Sequence, residues 1–125
     1  MSLKGRARVA GSRVTLARPT GGRATDGSGT VTSWAAVATD VPAALESLTD
    51  ELVQKIYGAD RTVKDRALIP DLTLVVRPGD ALIVTAGKRN GAKYRIEDAR
   101  LNDSRVNGHW DAALVSTDET ITITP

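Results

Sequence analysis

The residues able to do chemistry are few and widely spaced. His109 is the single histidine, beside Trp110 and just after Asn107-Gly108. An imidazole can act as a general base near neutral pH. A hydrolytic triad also needs a nucleophile on a defined turn, and no nucleophile-elbow motif accompanies this histidine. A hydrogen-bonded or surface imidazole is the better reading. Metal binding would need carboxylates clustered with this one histidine, and no tight ligand cluster is visible. Thr20-Gly21-Gly22-Arg23 and Gly27-Ser28-Gly29-Thr30 hint at phosphate cradling, but neither has Lys-Ser or Lys-Thr after the glycines and neither opens a helix. No catalytic, cofactor-binding or metal-binding residue is therefore expected, and contact is the expected mode of action.

Charge is better placed for contact than for catalysis. Lys88, Arg89, Lys93 and Arg95 surround Tyr94 and form a basic cluster with one aromatic. Single-strand binding on a barrel face uses several aromatic platforms interleaved with bases, so this cluster is thin. A monomeric β-barrel that binds nucleic acid through it is the alternative function, with loose attraction to DNA backbone as its weaker form. Residues 1–25 hold six bases and no acid, whereas residues 26–60 hold six acids against Lys55 alone. Opposite poles of this size attract further copies or a polarised neighbour, although two solvated surfaces would look the same.

With 125 residues the chain is expected to be one β-barrel domain over 1–125. Its core must be aliphatic, since Phe is absent and the aromatics are Trp34, Tyr57, Tyr94 and Trp110. Absence of cysteine excludes a disulfide framework and the usual structural zinc sites, and fits synthesis in a reducing cytoplasm. The first residues have charge but no apolar signal region, and no run is long enough to span a bilayer.

The elements that must position these groups read mainly as strands. A basic N-terminal arm, 1–12, precedes a strand at Val14–Arg18, and 19–29 is rich enough in Gly, Ser, Thr and Asp for a flexible hairpin loop. Thr30–Val37 returns as a strand. Asp40–Leu45 reads as an edge strand, because Pro42 has no N–H for a ladder. One helix is expected, capped by Ser47 with Asp50 three residues on, carrying Leu48, Leu52, Val53 and Ile56 on one stripe and stopping at Gly58. Thr62–Ile69 is expected to be a strand. Leu72–Arg100 reads as three strands with Tyr94, Ile96 and Asp98 on one face. Its first turn is Pro78, Gly79 and Asp80, assigned to turn geometry rather than to a ligand, and Asn90-Gly91 marks its second. Trp110, Ala112 and Leu114 share a face of the next strand. The 116–125 tail contains the β-prone TITIT run, which either closes the sheet or pairs with a neighbour. The expected fold is mainly β: a small barrel or sandwich with one short α-helix and long loops.

The order of these features resembles the head–tail joining (head-closure or stopper) proteins of tailed bacteriophages. It is carried by Arg18-Pro19-Thr20 after the first strand, the Gly-rich loop, the Trp34 strand leading to DVPAALESL, and the helix ending Gln54-Lys55-Ile56-Tyr57-Gly58. The ALIP strand, Pro78-Gly79-Asp80 and Gly91-Ala92-Lys93-Tyr94-Arg95-Ile96 complete it, over about Arg13 to Leu114. The resemblance implies a structural, non-enzymatic protein made in the host cytoplasm and built into the virion neck. There six or twelve copies would form a ring between portal or adaptor and tail, continuing the DNA channel without sequence specificity and helping to retain packaged DNA. It implies no cofactor and no membrane. Ser47–Arg61 would be the channel- or adaptor-facing segment, with Glu46, Asp50, Glu51, Lys55, Tyr57 and Arg61 as its candidate contact residues. Lys88, Arg89 and Lys93, in a turn longer than the family's usual one, would be a partner-facing basic turn.

Overall fold

The computed structural model describes residues 11–20, 33–57, 63–103 and 108–123. Among the described residues, six strands, β1 (Ser12–Pro19), β2 (Trp34–Ser47), β3 (Asp65–Ile69), β4 (Ala81–Ala86), β5 (Lys93–Asn102) and β6 (His109–Ser116), accompany one helix, α1 (Asp50–Tyr57). The strands close into an antiparallel barrel in the order β1-β2-β3-β6-β5-β4. Of the two expected architectures, the barrel is the one adopted. Closure leaves no strand of the wall with an open hydrogen-bonding edge. Most of the N-terminal arm, residues 21–32 of the Gly-rich segment, Gly58, Arg61, Asn107 and Thr124 lie outside the described residues.

Period-two alternation selects the interior. Val14 and Leu16, Val41 and Ala43, Ala67 and Ile69, Leu82 and Val84, Tyr94 and Ile96, and Ala112 and Leu114 form one buried cluster, with Trp110 packed against it. A six-stranded barrel has a narrow interior, which suits these aliphatic side chains.

The segment expected as an edge strand is part of β2, a continuous strand of 14 residues. Its register against β1 slips between Val14 and Leu16 and again between Leu16 and Ala17, and Asp40 adopts φ 53°. Extra residues of this kind bend a strand, and Asp is one of the few side chains that tolerates the left-handed region. The bend lets β2 pair first with β1 and then, from Ala44 to Ser47, with β3. Pro42 pairs with Arg13 just before the β3 ladder begins, so its missing N–H costs no bond on that side.

Leu72–Val76 is also not a strand. Asp71 Oδ1 accepts hydrogen bonds from the Thr73 N–H (2.9 Å) and hydroxyl (2.6 Å), which turns the chain immediately after Pro70. Side chains then satisfy its carbonyls: Trp110 Nε1 donates to Leu74 O (3.0 Å) and Arg18 to Val75 O (2.8 Å). Only Val76 is fully inserted in the core, whereas Leu72 and Val75 are exposed. The expected three-stranded meander is therefore two strands, β4 and β5, preceded by this irregular connection.

Its closing turn has the geometry that Pro-Gly dictates. Asp80 N–H bonds Arg77 O (3.1 Å), and Gly79, the second central residue, has φ 92°. In β5 a bulge between Ile96 and Asp98 reverses the alternation, so Ala99 rather than Asp98 follows Ile96 into the core.

The helix begins later than expected. Thr49, not Ser47, is the cap: its hydroxyl accepts from Leu52 N–H (3.2 Å) and its carbonyl from Val53 N–H (3.0 Å). Ser47 is already committed as the last residue of β2. Val53 is buried with Val63 and Ala113 on the outside of the wall, with Leu48, Ile56 and Val115 around them, while Leu52 is exposed. Arg100 donates to Ile56 O (2.9 Å) and so binds the helix's C-terminal turn to β5.

Candidate functional site

Two segments singled out in the sequence, some forty residues apart, meet at one end of the barrel. Ser47 and Asp65 close the β2–β3 ladder there, and the β4–β5 turn arrives from the opposite side of the wall. Gly87 allows the approach: with φ 106°, a Cβ on it would lie 2.9 Å from Ser12 Oγ. The result is an open cleft of about 310 Å³ lined by Gly11, Ser12, Ala44, Leu45, Glu46, Lys88 and Arg89.

The cations around it differ in what they can offer a partner. Arg89 folds back onto the barrel, donating to Asp65 Oδ1 (2.9 Å), Ser47 Oγ (2.7 Å) and Tyr94 Oη (3.2 Å). Burial pulls the Arg89 pKa down, but the bonds to Tyr94 and Asp65 outweigh it and leave the guanidinium above its ordinary value. Lys93 Nζ donates to Glu119 O (2.8 Å), and Arg95 pairs with Glu119 Oε2 at 2.6 Å. Lys88 is the one member of the basic cluster that is exposed. Three of the four cations assigned to a nucleic-acid surface are thus bound to groups of the same chain.

On the helical side, Asp50, Glu51, Gln54 and Lys55 all lie on the exposed face of α1. The two acids occupy its first turn and Lys55 its last, in accord with the helix dipole. Glu46 points instead along the wall, where Arg66 binds it (2.9 Å) and also faces Asp111 (3.7 Å). Tyr57 ends α1.

Asp80 does more than complete a turn. It is buried, at 2% exposure, and accepts Arg18 through both oxygens (3.0 and 2.8 Å) and the Arg77 N–H (3.0 Å). The hydrogen bond from Arg18 to Asp80 raises the arginine's pKa against the opposing effect of burial. Sequence reasoning missed this clamp between β1 and the β3–β4 connection, and a base 62 residues before a turn carries no local signal for it. The Arg95–Glu119 pair was missed for the same reason.

His109 opens β6 opposite Asn102. Among the described residues no group of three or more His, Asp and Glu side chains is placed to hold a metal ion. No described helix is long and apolar enough to cross a membrane. Comparison with family models, curated proteins and solved structures finds no match.

Proposed function

We propose that this chain is a structural connector of the tailed-phage neck, forming a ring between portal or adaptor and tail. The observation that carries this reading is the excursion between β2 and β3. A closed barrel wall is interrupted at Ser47, and a short helix is pinned to its outside through Val53, with its charged face and Leu52 left open. That is the place at which the resemblance calls for a channel- or adaptor-facing segment. The Glu46–Lys88 cleft opens where β2 hands over to this excursion, and a neighbour would find exposed groups of both signs, acidic Asp50 and Glu51 on α1 and basic Lys88 at the cleft. Mixed charge on a rigid wall favours orientation and register over raw affinity. Summed around a closed ring, modest interfaces of this kind become a stable collar.

In this role the chain performs no catalysis and takes no cofactor, and DNA passes without sequence recognition. Acidic side chains on α1 would repel phosphate and keep passing DNA from adhering, while docking on a basic adaptor surface would use the same residues. The test is deletion of the gene from a phage that carries it. DNA-filled heads that lack tails and lose their genome on standing are expected. Normal yields of tailed, infectious particles would refute the proposal.

A further inference from the structure

After Ser116 the chain leaves β6 but stays on the barrel. Thr117 N–H makes one more bond, to Lys93 O (3.1 Å), and residues 118–123 then run along the outside of the wall. Glu119 is held by Arg95 and Lys93, and Ile121 packs against Ala17, Trp34 and Ala81, all fully buried. The Arg95 guanidinium lies 5.2 Å from the Trp34 ring centroid. Ile123 contributes an isolated parallel bridge to Trp34. The strap therefore has the alternation of a strand, with Glu119 and Ile121 turned to the wall and Asp118, Thr120 and Thr122 to solvent, yet no ladder fixes it.

We infer that this strap is exchangeable, the strap of one copy seating in the Arg95–Trp34 slot of another. The slot's chemistry identifies its occupant. It takes a carboxylate over Arg95 and, two residues on, an aliphatic side chain over Trp34, Ala17 and Ala81; Glu119 and Ile121 of any copy supply both. Leaving the slot empty would expose a buried tryptophan, so a strap always occupies it. A strap from another copy restores every contact that the departing one loses, the Lys93 bond to the Glu119 carbonyl and the Ile123 bridge included. Concentration and geometry then decide between the closed and exchanged forms. Redirection needs only Thr117 and Asp118, where the ladder has ended and Thr117 Oγ1 already turns the chain by accepting Glu119 N–H (3.1 Å). Strap and slot are different surfaces, so successive exchange runs head to tail and yields rings or open chains. The inference goes beyond the neck reading and does not depend on it, since its only partner is a second copy of this chain.

Native cysteine is absent, which makes cross-linking selective. Full-length chains carrying Ala17→Cys and Ile121→Cys separately are mixed in equal amounts at high concentration and oxidised with glutathione disulfide, alongside a chain carrying both substitutions. A disulfide-linked heterodimer in the mixture, with covalent multimers of the double variant, is the expected result. A double variant that closes only within one chain, with no heterodimer in the mixture, would overturn the inference. Charge exchange gives a readout independent of disulfide geometry. Arg95→Glu and Glu119→Arg chains each oppose like charges alone but are complementary when mixed. Native mass spectrometry should find heteromers in the mixture at least tenfold above the homomers of either variant, and a mixture equal to its components would refute exchange. Failure of either kind leaves a ring built on other surfaces intact, whereas normal particles from the gene deletion would leave the exchange standing.

Discussion

Two segments of this barrel carry strand-like sequence and neither becomes a strand. Leu72–Val76 is apolar apart from Thr73, the run from Thr120 to Ile123 alternates Thr with Ile, and both lie against the wall without a ladder. They differ in what holds them. The β3–β4 connection is locked through a buried carboxylate, Asp80, that binds Arg18 and the Arg77 N–H, with Trp110 and Arg18 satisfying its carbonyls. The strap is held through one half-buried ion pair, Glu119 with Arg95, and through Ile121 packed on Ala17, Trp34 and Ala81. Asp80, at 2% exposure, has nowhere to be solvated if it loses its partner, whereas Glu119 would enter water together with its strap if that strap exchanges as inferred. The first segment is part of the fold, and the second is the strap inferred to exchange.

That contrast can be broken by mutation. Asp80→Ala should have the largest effect, a loss of about 2–3 kcal/mol in urea denaturation, because it removes the hydrogen bonds that a buried carboxylate accepts from half-exposed Arg18 and from the Arg77 amide. Glu119→Ala should cost less, about 1–2 kcal/mol, with tryptophan emission moving to longer wavelength as the Trp34 slot opens. Equal losses for the two variants would erase the distinction between lock and attachment. Trp110→Phe removes the hydrogen bond to Leu74 O and should cost about 1 kcal/mol, with amide exchange accelerated around 72–76 and unchanged in the strap.

A pH comparison sharpens the picture further. The Arg18 pKa is raised on folding, so the clamp's contribution through this group is complete below the unfolded-state value and is lost only as pH climbs through the higher folded one. The penalty for Arg18→Met should therefore be the same in melts at pH 7 and pH 9. A penalty that shrinks between those values would mean that Arg18 is not the group holding the connection.

Legibility in the sequence followed the range of the interaction. Val14–Arg18 and the strand carrying Trp110, Ala112 and Leu114 read correctly because alternation places their side chains. The Pro78-Gly79 turn was equally legible, since both residues restrict or extend φ locally. Errors came where another interaction, near or far, outcompeted simple alternation. Asp71 turned Leu72 out of a ladder, Thr49 took the cap from Ser47 because β2 had already claimed that residue, and the bulge at Glu97 exchanged Asp98 for Ala99. In the candidate surface the exposed face of α1 followed from its stripe. The apparent basic patch did not survive, because Asp65, Ser47, Tyr94 and Glu119 come from other strands or the tail to occupy Arg89, Lys93 and Arg95.

By itself the sequence determined a β-rich chain with an aliphatic core, one short amphipathic helix and turns at Pro78-Gly79 and Asn90-Gly91, because side-chain alternation and backbone φ preferences act over a few residues. Tertiary structure alone decided that the sheet closes through a bent β2, that Asp80 becomes a lock, and that the tail lies in a slot instead of joining the wall. Each of those outcomes depends on register and on charges separated by tens of residues, where local propensity has no influence and only the closed barrel brings the partners together.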